Sequence, residues 1–98
     1  GFVYPFRYMI FTEESASPSV EVLFSVPKRY HKRANKRNLL RRRTKEAYRL
    51  NKESVTAVVA ERCLALDMAL VYSVKECVPY KTIENAVRKI LQEVGATL

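Results

Sequence analysis

The chain is predicted to fold as a small α+β domain, a sheet with helices packed against it in the order β-β-α-β-α. Three observations predict this. Two period-two segments lie near the start, a long stretch without Gly or Pro fills the middle, and a strongly amphipathic segment ends the chain. With 98 residues, 48% of them apolar, residues 1–98 are expected to share one core, because half of this length could not bury a second.

The first strand is expected in Phe2–Phe11, FVYPFRYMIF, dense in aromatic and β-branched residues. Alternation places Phe2, Tyr4, Phe6, Tyr8 and Ile10 on one face and Val3, Pro5, Arg7, Met9 and Phe11 on the other. Pro5 lacks an N–H and belongs at a sheet edge or bulge. Thr12–Ser19 (TEESASPS) reads as a polar turn, and Val20–Val26 alternates as a second strand forming a hairpin with the first. Pro27 ends it.

Ala34–Lys52 contains no Gly or Pro and is rich in Arg, Lys, Leu and Ala, so it reads as a helix. Leu40, Thr44, Ala47 and Tyr48 fall on one side of it, and Asn38, Arg41, Arg42, Lys45, Arg49 and Lys52 on the other. Glu53–Leu66 fits a continuation of the helix, a short second helix or a loop. Met68–Tyr72 is a short buried strand bounded by Asp67. From Tyr80 onward, Ile83, Ala86, Val87, Ile90, Leu91 and Val94 define an amphipathic helix closing near Gly95.

Charge narrows the function. The formal net charge is +8, yet twelve of the eighteen basic residues lie between Lys28 and Lys52, with Glu46 the one acid among them. The rest of the chain is net acidic. Lys28, Arg29, Lys32, Arg33 and Lys36 lead into the helical ladder, whose rungs rise about 5 Å per turn and can reach successive phosphates. Solvated helix faces usually mix signs and disordered basic arms lack spaced apolar residues; this segment does neither. Nucleic acid is the partner such a stripe fits, ahead of an acidic protein or a membrane surface. Asn38 offers an amide to a base edge or a metal-bound water, unless it is simply solvated. Aromatics of the first strand belong to the core, or on an open face stack on unpaired bases.

Other chemistries find little support. No apolar run approaches the roughly 18 residues of a membrane span, and no signal-peptide pattern is present. Cys63 and Cys77 lack metal-ligand spacing and are expected to be reduced thiols of a cytoplasmic protein. His31, the one histidine, sits among cations and is expected to face RNA or solvent. The ten acids are scattered, so no carboxylate cluster for protein-bound Mg²⁺ is expected. The chain begins at Gly1 without an initiator Met, which suggests a trimmed or processed start.

The pattern AxxRNxx[KR]RxxxxxxR, carried by Ala34, Arg37, Asn38, Arg41, Arg42 and Arg49, resembles the signature of the bacterial ribonuclease P protein family. The surrounding FSVPKRYHKRANKRNLLRRRTKEAYRL and the late LDMALVY segment are similar to that family along the whole chain. The resemblance implies a left-handed βαβ crossover. It also implies a protein subunit without catalytic residues of its own, in an endoribonuclease whose RNA performs catalysis with Mg²⁺ held mainly by that RNA. Its implied partners are the catalytic RNA and precursor tRNA, with no membrane and no obligate protein partner. Arg37, Asn38, Arg41, Arg42, Lys45 and Arg49 would face the RNA. Phe11, with Arg7 and Met9, would line a cleft for the 5′ leader, Phe11 matching the family's cleft tyrosine. The third signature position, normally Arg, is Leu39; Tyr30-His31-Lys32 stands where a Gly is frequent. The family's N-terminal helix, which would supply part of the cleft, is expected to be missing ahead of Gly1. A ribosomal or assembly-type RNA-binding protein is the alternative of a different class, and a stand-alone nuclease a more distant one.

Overall fold

Nine residues, Leu64–Tyr72 (LALDMALVY), form the spine of the sheet. Leu66, Met68, Leu70 and Tyr72 are buried on one face, while Asp67 points from the other. The computed structural model describes all residues from Gly1 to Leu98. In chain order the elements are β1 (Phe2–Val3), β2 (Phe6–Glu14), β3 (Ser19–Ser25), α1 (Ala34–Asn51), α2 (Glu53–Arg62), β4 (Leu64–Tyr72) and α3 (Tyr80–Thr97). The sheet order is β1-β2-β4-β3.

The expected hairpin between the first two long strands does not form. β4 lies between them, antiparallel to β2 from Phe6↔Tyr72 to Glu14↔Leu64 and parallel to β3 from Ser19↔Ala65 to Ser25↔Val71. The polar segment after Glu14 therefore carries the chain past β4 rather than into a tight turn. β4 has the nearly unbroken apolar composition of a central strand, whereas β2 ends in Thr-Glu-Glu and β3 alternates with polar residues. β3 and β4 are parallel neighbours joined through α1 and α2, which makes the connection a βαβ crossover.

The single strand expected over Phe2–Phe11 is also divided. The chain reverses at Tyr4-Pro5, a cis peptide, and β1 folds back so that Phe2 opposes Arg7 and Val3 opposes Phe6. Phe2 and Tyr4 are consequently exposed, not aligned with Phe6, Tyr8 and Ile10 on the core face. Pro5 sits at the sheet-edge turn, the position its missing N–H favours.

The undecided stretch after α1 becomes a second helix. At the junction Asn51 Nδ2 donates to Ala47 O at 2.8 Å, and the Val55 and Thr56 N–H groups both donate to Lys52 O. Cys63 ends α2 in the left-handed region, φ 53°, and its N–H donates to Val59 O. α3 runs through Gly95 instead of stopping there. A Cβ at Gly95 would meet the Ser54 carbonyl oxygen at 3.1 Å, so the glycine serves close packing of α3 on α2. The helices cover one face of the sheet, where Phe6, Leu40, Leu66, Leu70, Ile83, Ile90 and Leu91 share a continuous core. The opposite face stays open.

Candidate nucleic-acid interface

α1 is anchored by the stripe that its periodicity dictates. Leu40, Thr44 and Ala47 are buried, and Tyr48 lies half-buried with its ring edge-on to Phe24 at 5.8 Å. Thr44 is tolerated in this dry position because its hydroxyl donates to Leu40 O at 2.8 Å. Fixing that stripe turns Lys36, Asn38, Arg42, Lys45 and Arg49 outward, with Arg41 half-exposed beside them.

These side chains differ in how free they are. Lys36, Arg42 and Lys45 have no side-chain hydrogen bond or ion pair within the protein. Arg41 Nη1 donates to Asn38 Oδ1 at 3.3 Å, leaving the Asn38 amide N–H groups available. Arg49 grips Glu46 with two hydrogen bonds, 2.6 and 3.1 Å. This pairing lowers the Glu46 pKa and raises that of Arg49. The pair is exposed, so a phosphate can compete for the guanidinium. At the start of α1 the N-cap residue Arg33 makes no side-chain capping bond, Asn35 Oδ1 takes only the Lys36 N–H, and no acid occupies the first turn, where Lys36 and Arg37 stand instead. That arrangement opposes the helix dipole and favours an anion at this end.

Arg37 also has a structural task. Its Nη1 donates to His31 O at 3.0 Å and Lys32 O at 2.7 Å, closing the turn before α1. Within that turn Lys28, Arg29, Lys32 and Arg33 are exposed, and the Arg29 guanidinium lies 4.8 Å from the Tyr30 ring centroid. The expectation for His31 is overturned. It is 5% exposed, its ring stands edge-on to Tyr72 at 5.3 Å, and Nε2 lies 2.9 Å from Val74 O. A carbonyl only accepts, so Nε2 carries the proton and donates. The partner is 43 residues away in sequence, which is why the cationic neighbours alone misled.

The open sheet face forms a second surface. Met9 and Phe11 are 57% and 62% exposed there, Arg7 is exposed beside them, and Leu23 is 66% exposed. Met9, Phe11, Leu23, Asp67 and Ala69 help to line a shallow cleft of about 370 Å³. Leu23, Asp67 and Ala69 escaped sequence reasoning because they join Phe11 only through the insertion of β4. The alternation of each strand was readable, but not the strand order. Asp67 opposes both Phe11 and Glu21 across the sheet, so this surface is less cationic than α1.

The family model described as Ribonuclease P matches residues 4–95. The chain belongs to the ribonuclease P protein family. Among its relatives are the proteins called ribonuclease P protein component in two strains of Porphyromonas gingivalis. They are 36% and 35% identical to it over 98 residues, a span of 98% of this chain and 71% of each relative. The RNase P protein from Thermotoga maritima has the same fold, with a TM-score of 0.64 at 16% identity, covering 88% of this chain and 76% of that one. On the ribonuclease P protein fold, the signature residues Arg37, Asn38, Arg41, Arg42 and Arg49 all lie on α1.

Proposed function

We propose that this chain is the RNA-binding subunit of a cytoplasmic ribonuclease P. In this reading the α1 ladder grips the catalytic RNA and the open sheet face receives the 5′ leader of precursor tRNA. The observation that carries the reading is the geometry of α1. A buried Leu40–Thr44–Ala47 stripe fixes the helix while Lys36, Arg42 and Lys45 stand outward without protein partners. Unpaired, parallel cations repel one another, and a polyanion relieves that repulsion. Arg41 and Arg49, now held by an amide and a carboxylate, exchange those partners for phosphate oxygens.

The leader's place is supported by different chemistry. Phe11 and Met9 offer exposed apolar surface on which an unpaired base can stack, and Arg7 supplies one cation for the backbone. Nearby Asp67 and Glu21 disfavour a phosphate-rich duplex and suit base edges. No three of the His, Cys, Asp and Glu side chains gather to hold a metal ion. We assign the Mg²⁺ of the hydrolysis to sites made mainly by the partner RNA, as membership of the ribonuclease P protein family implies. The protein's part is to neutralise phosphates, hold the leader and raise local metal affinity.

Binding of leader-bearing and mature tRNA to the reconstituted ribonucleoprotein tests this reading. The leader-bearing form should bind more tightly, and Phe11→Ala should reduce that preference. Equal affinities would favour a ribosomal or assembly role for the chain.

A further inference from the structure

A cleft of about 470 Å³ opens between one flank of α1 and the start of α3, away from the sheet face. Leu39, Arg42, Arg43 and Glu46, spaced as one helical stripe, form its α1 wall; Tyr80, the first residue of α3, forms the other. Leu39 is half-buried, and Arg43 Nη1 donates to Val78 O at 3.4 Å. Arg42 is exposed and unpaired. The Tyr80 hydroxyl is enclosed and has no hydrogen-bond partner.

The wall chemistry separates two halves of a ligand. Glu46, a carboxyl whose pKa Arg49 lowers, is ionised, and its oxygens are free to accept once Arg49 turns to phosphate. An ionised carboxylate repels phosphate but accepts hydrogen bonds from the exocyclic amines of bases. Leu39 and the Tyr80 ring give an apolar and aromatic floor for a base, while Arg42 at the rim suits its phosphate. We propose that this cleft receives one unpaired nucleotide of the partner RNA, with its base against Leu39 and Tyr80, its exocyclic amine toward Glu46 and its phosphate on Arg42. The occupant rests on the RNA-binding reading above. It adds a base-selective contact to a helix whose cations otherwise meet phosphates.

Leu39→Phe narrows the cleft at its apolar wall without changing charge. Its affinity for the ribonuclease P RNA is measured beside Glu46→Gln, Arg42→Ala and the parent chain, with salt dependence, melting temperature and 2′-hydroxyl acylation of the RNA at each nucleotide. Leu39→Phe and Glu46→Gln should each weaken binding about tenfold, the worth of one good contact. For Leu39→Phe the salt slope and melting temperature should stay unchanged. One nucleotide protected by the parent chain should become reactive with Leu39→Phe, and it should be A, C or G. Wild-type affinity for Leu39→Phe together with a loss for Arg42→Ala would overturn the cleft inference and leave RNA on α1. Wild-type affinity for both would overturn the RNA-binding reading and the cleft together. A uridine at the released position would overturn the role of Glu46.

Discussion

His31 joins two segments far apart in sequence, the basic turn before α1 and the loop after β4. His31→Ala would strand the Val74 carbonyl and remove the edge contact with Tyr72. It should cost about 1–3 kcal/mol in denaturant unfolding, and a change within about 0.5 kcal/mol would contradict the clasp. Phe11 poses the opposite case. Because the ring is 62% exposed, Phe11→Ala should leave stability within about 0.5 kcal/mol of the parent. Leader-bearing tRNA should lose about 1–3 kcal/mol of affinity and mature tRNA almost none. A large fall in melting temperature with equal losses for both tRNAs would place the ring in the core. Cys63 occupies a left-handed cap that penalises a side chain, so Cys63→Gly should gain roughly 0.5–1 kcal/mol. Reconstituted cleavage should survive that change and Cys77→Ser alike; a loss at full stability would give the thiols a role.

At the scale of elements, α1 was legible because helical periodicity is local. Four residues, Leu40, Thr44, Ala47 and Tyr48, named the docking side before any partner was known, and three of them are fully buried. α2 was not legible, since only Val55 and Val59 of its apolar residues are buried and its composition fits a strand equally well. Strand order was hidden for another reason. β4 chooses both neighbours across long sequence separations, and alternation within a strand specifies a face, not a partner. Binding through α1 should be strongly salt-dependent. If Lys36, Arg41, Arg42, Lys45 and Arg49 neutralise about five phosphates, log K against log salt should slope by roughly −3.5 to −4.5. Lys45→Ala should flatten that slope by roughly 0.7–0.9 while leaving the melting temperature unchanged. Arg37→Ala should also lower stability, because it frees the His31 and Lys32 carbonyls. An unchanged slope in Lys45→Ala would move the RNA off this face.

Across the whole molecule, charge is segregated rather than spread, with twelve cations in the turn and helix before α2 and a net acidic remainder. The sequence displayed that segregation openly, whereas the open sheet cleft exists only once β2, β4 and β3 assemble. Alkaline pH tests the integrity of the packed face. The Tyr8 pKa is raised by its hydrogen bond to Glu93 and by burial; those of Tyr48, Tyr72 and Tyr80 are raised chiefly by burial. Above the ordinary phenol value of about 10, the unfolded chain therefore holds fewer tyrosine protons than the folded one. Stability should be intact below that pH and fall as pH rises through the raised values; denaturation midpoints that stay flat to about pH 11 would contradict this packing. The central claim is that the chain serves a catalytic RNA, and cleavage of precursor tRNA at low Mg²⁺ tests it most directly. Added to a ribonuclease P RNA that is inactive alone at that Mg²⁺ concentration, the chain should restore cleavage at the mature 5′ end, and without RNA it should cleave nothing. Cleavage by the protein alone, or failure to restore activity to the RNA, would contradict it.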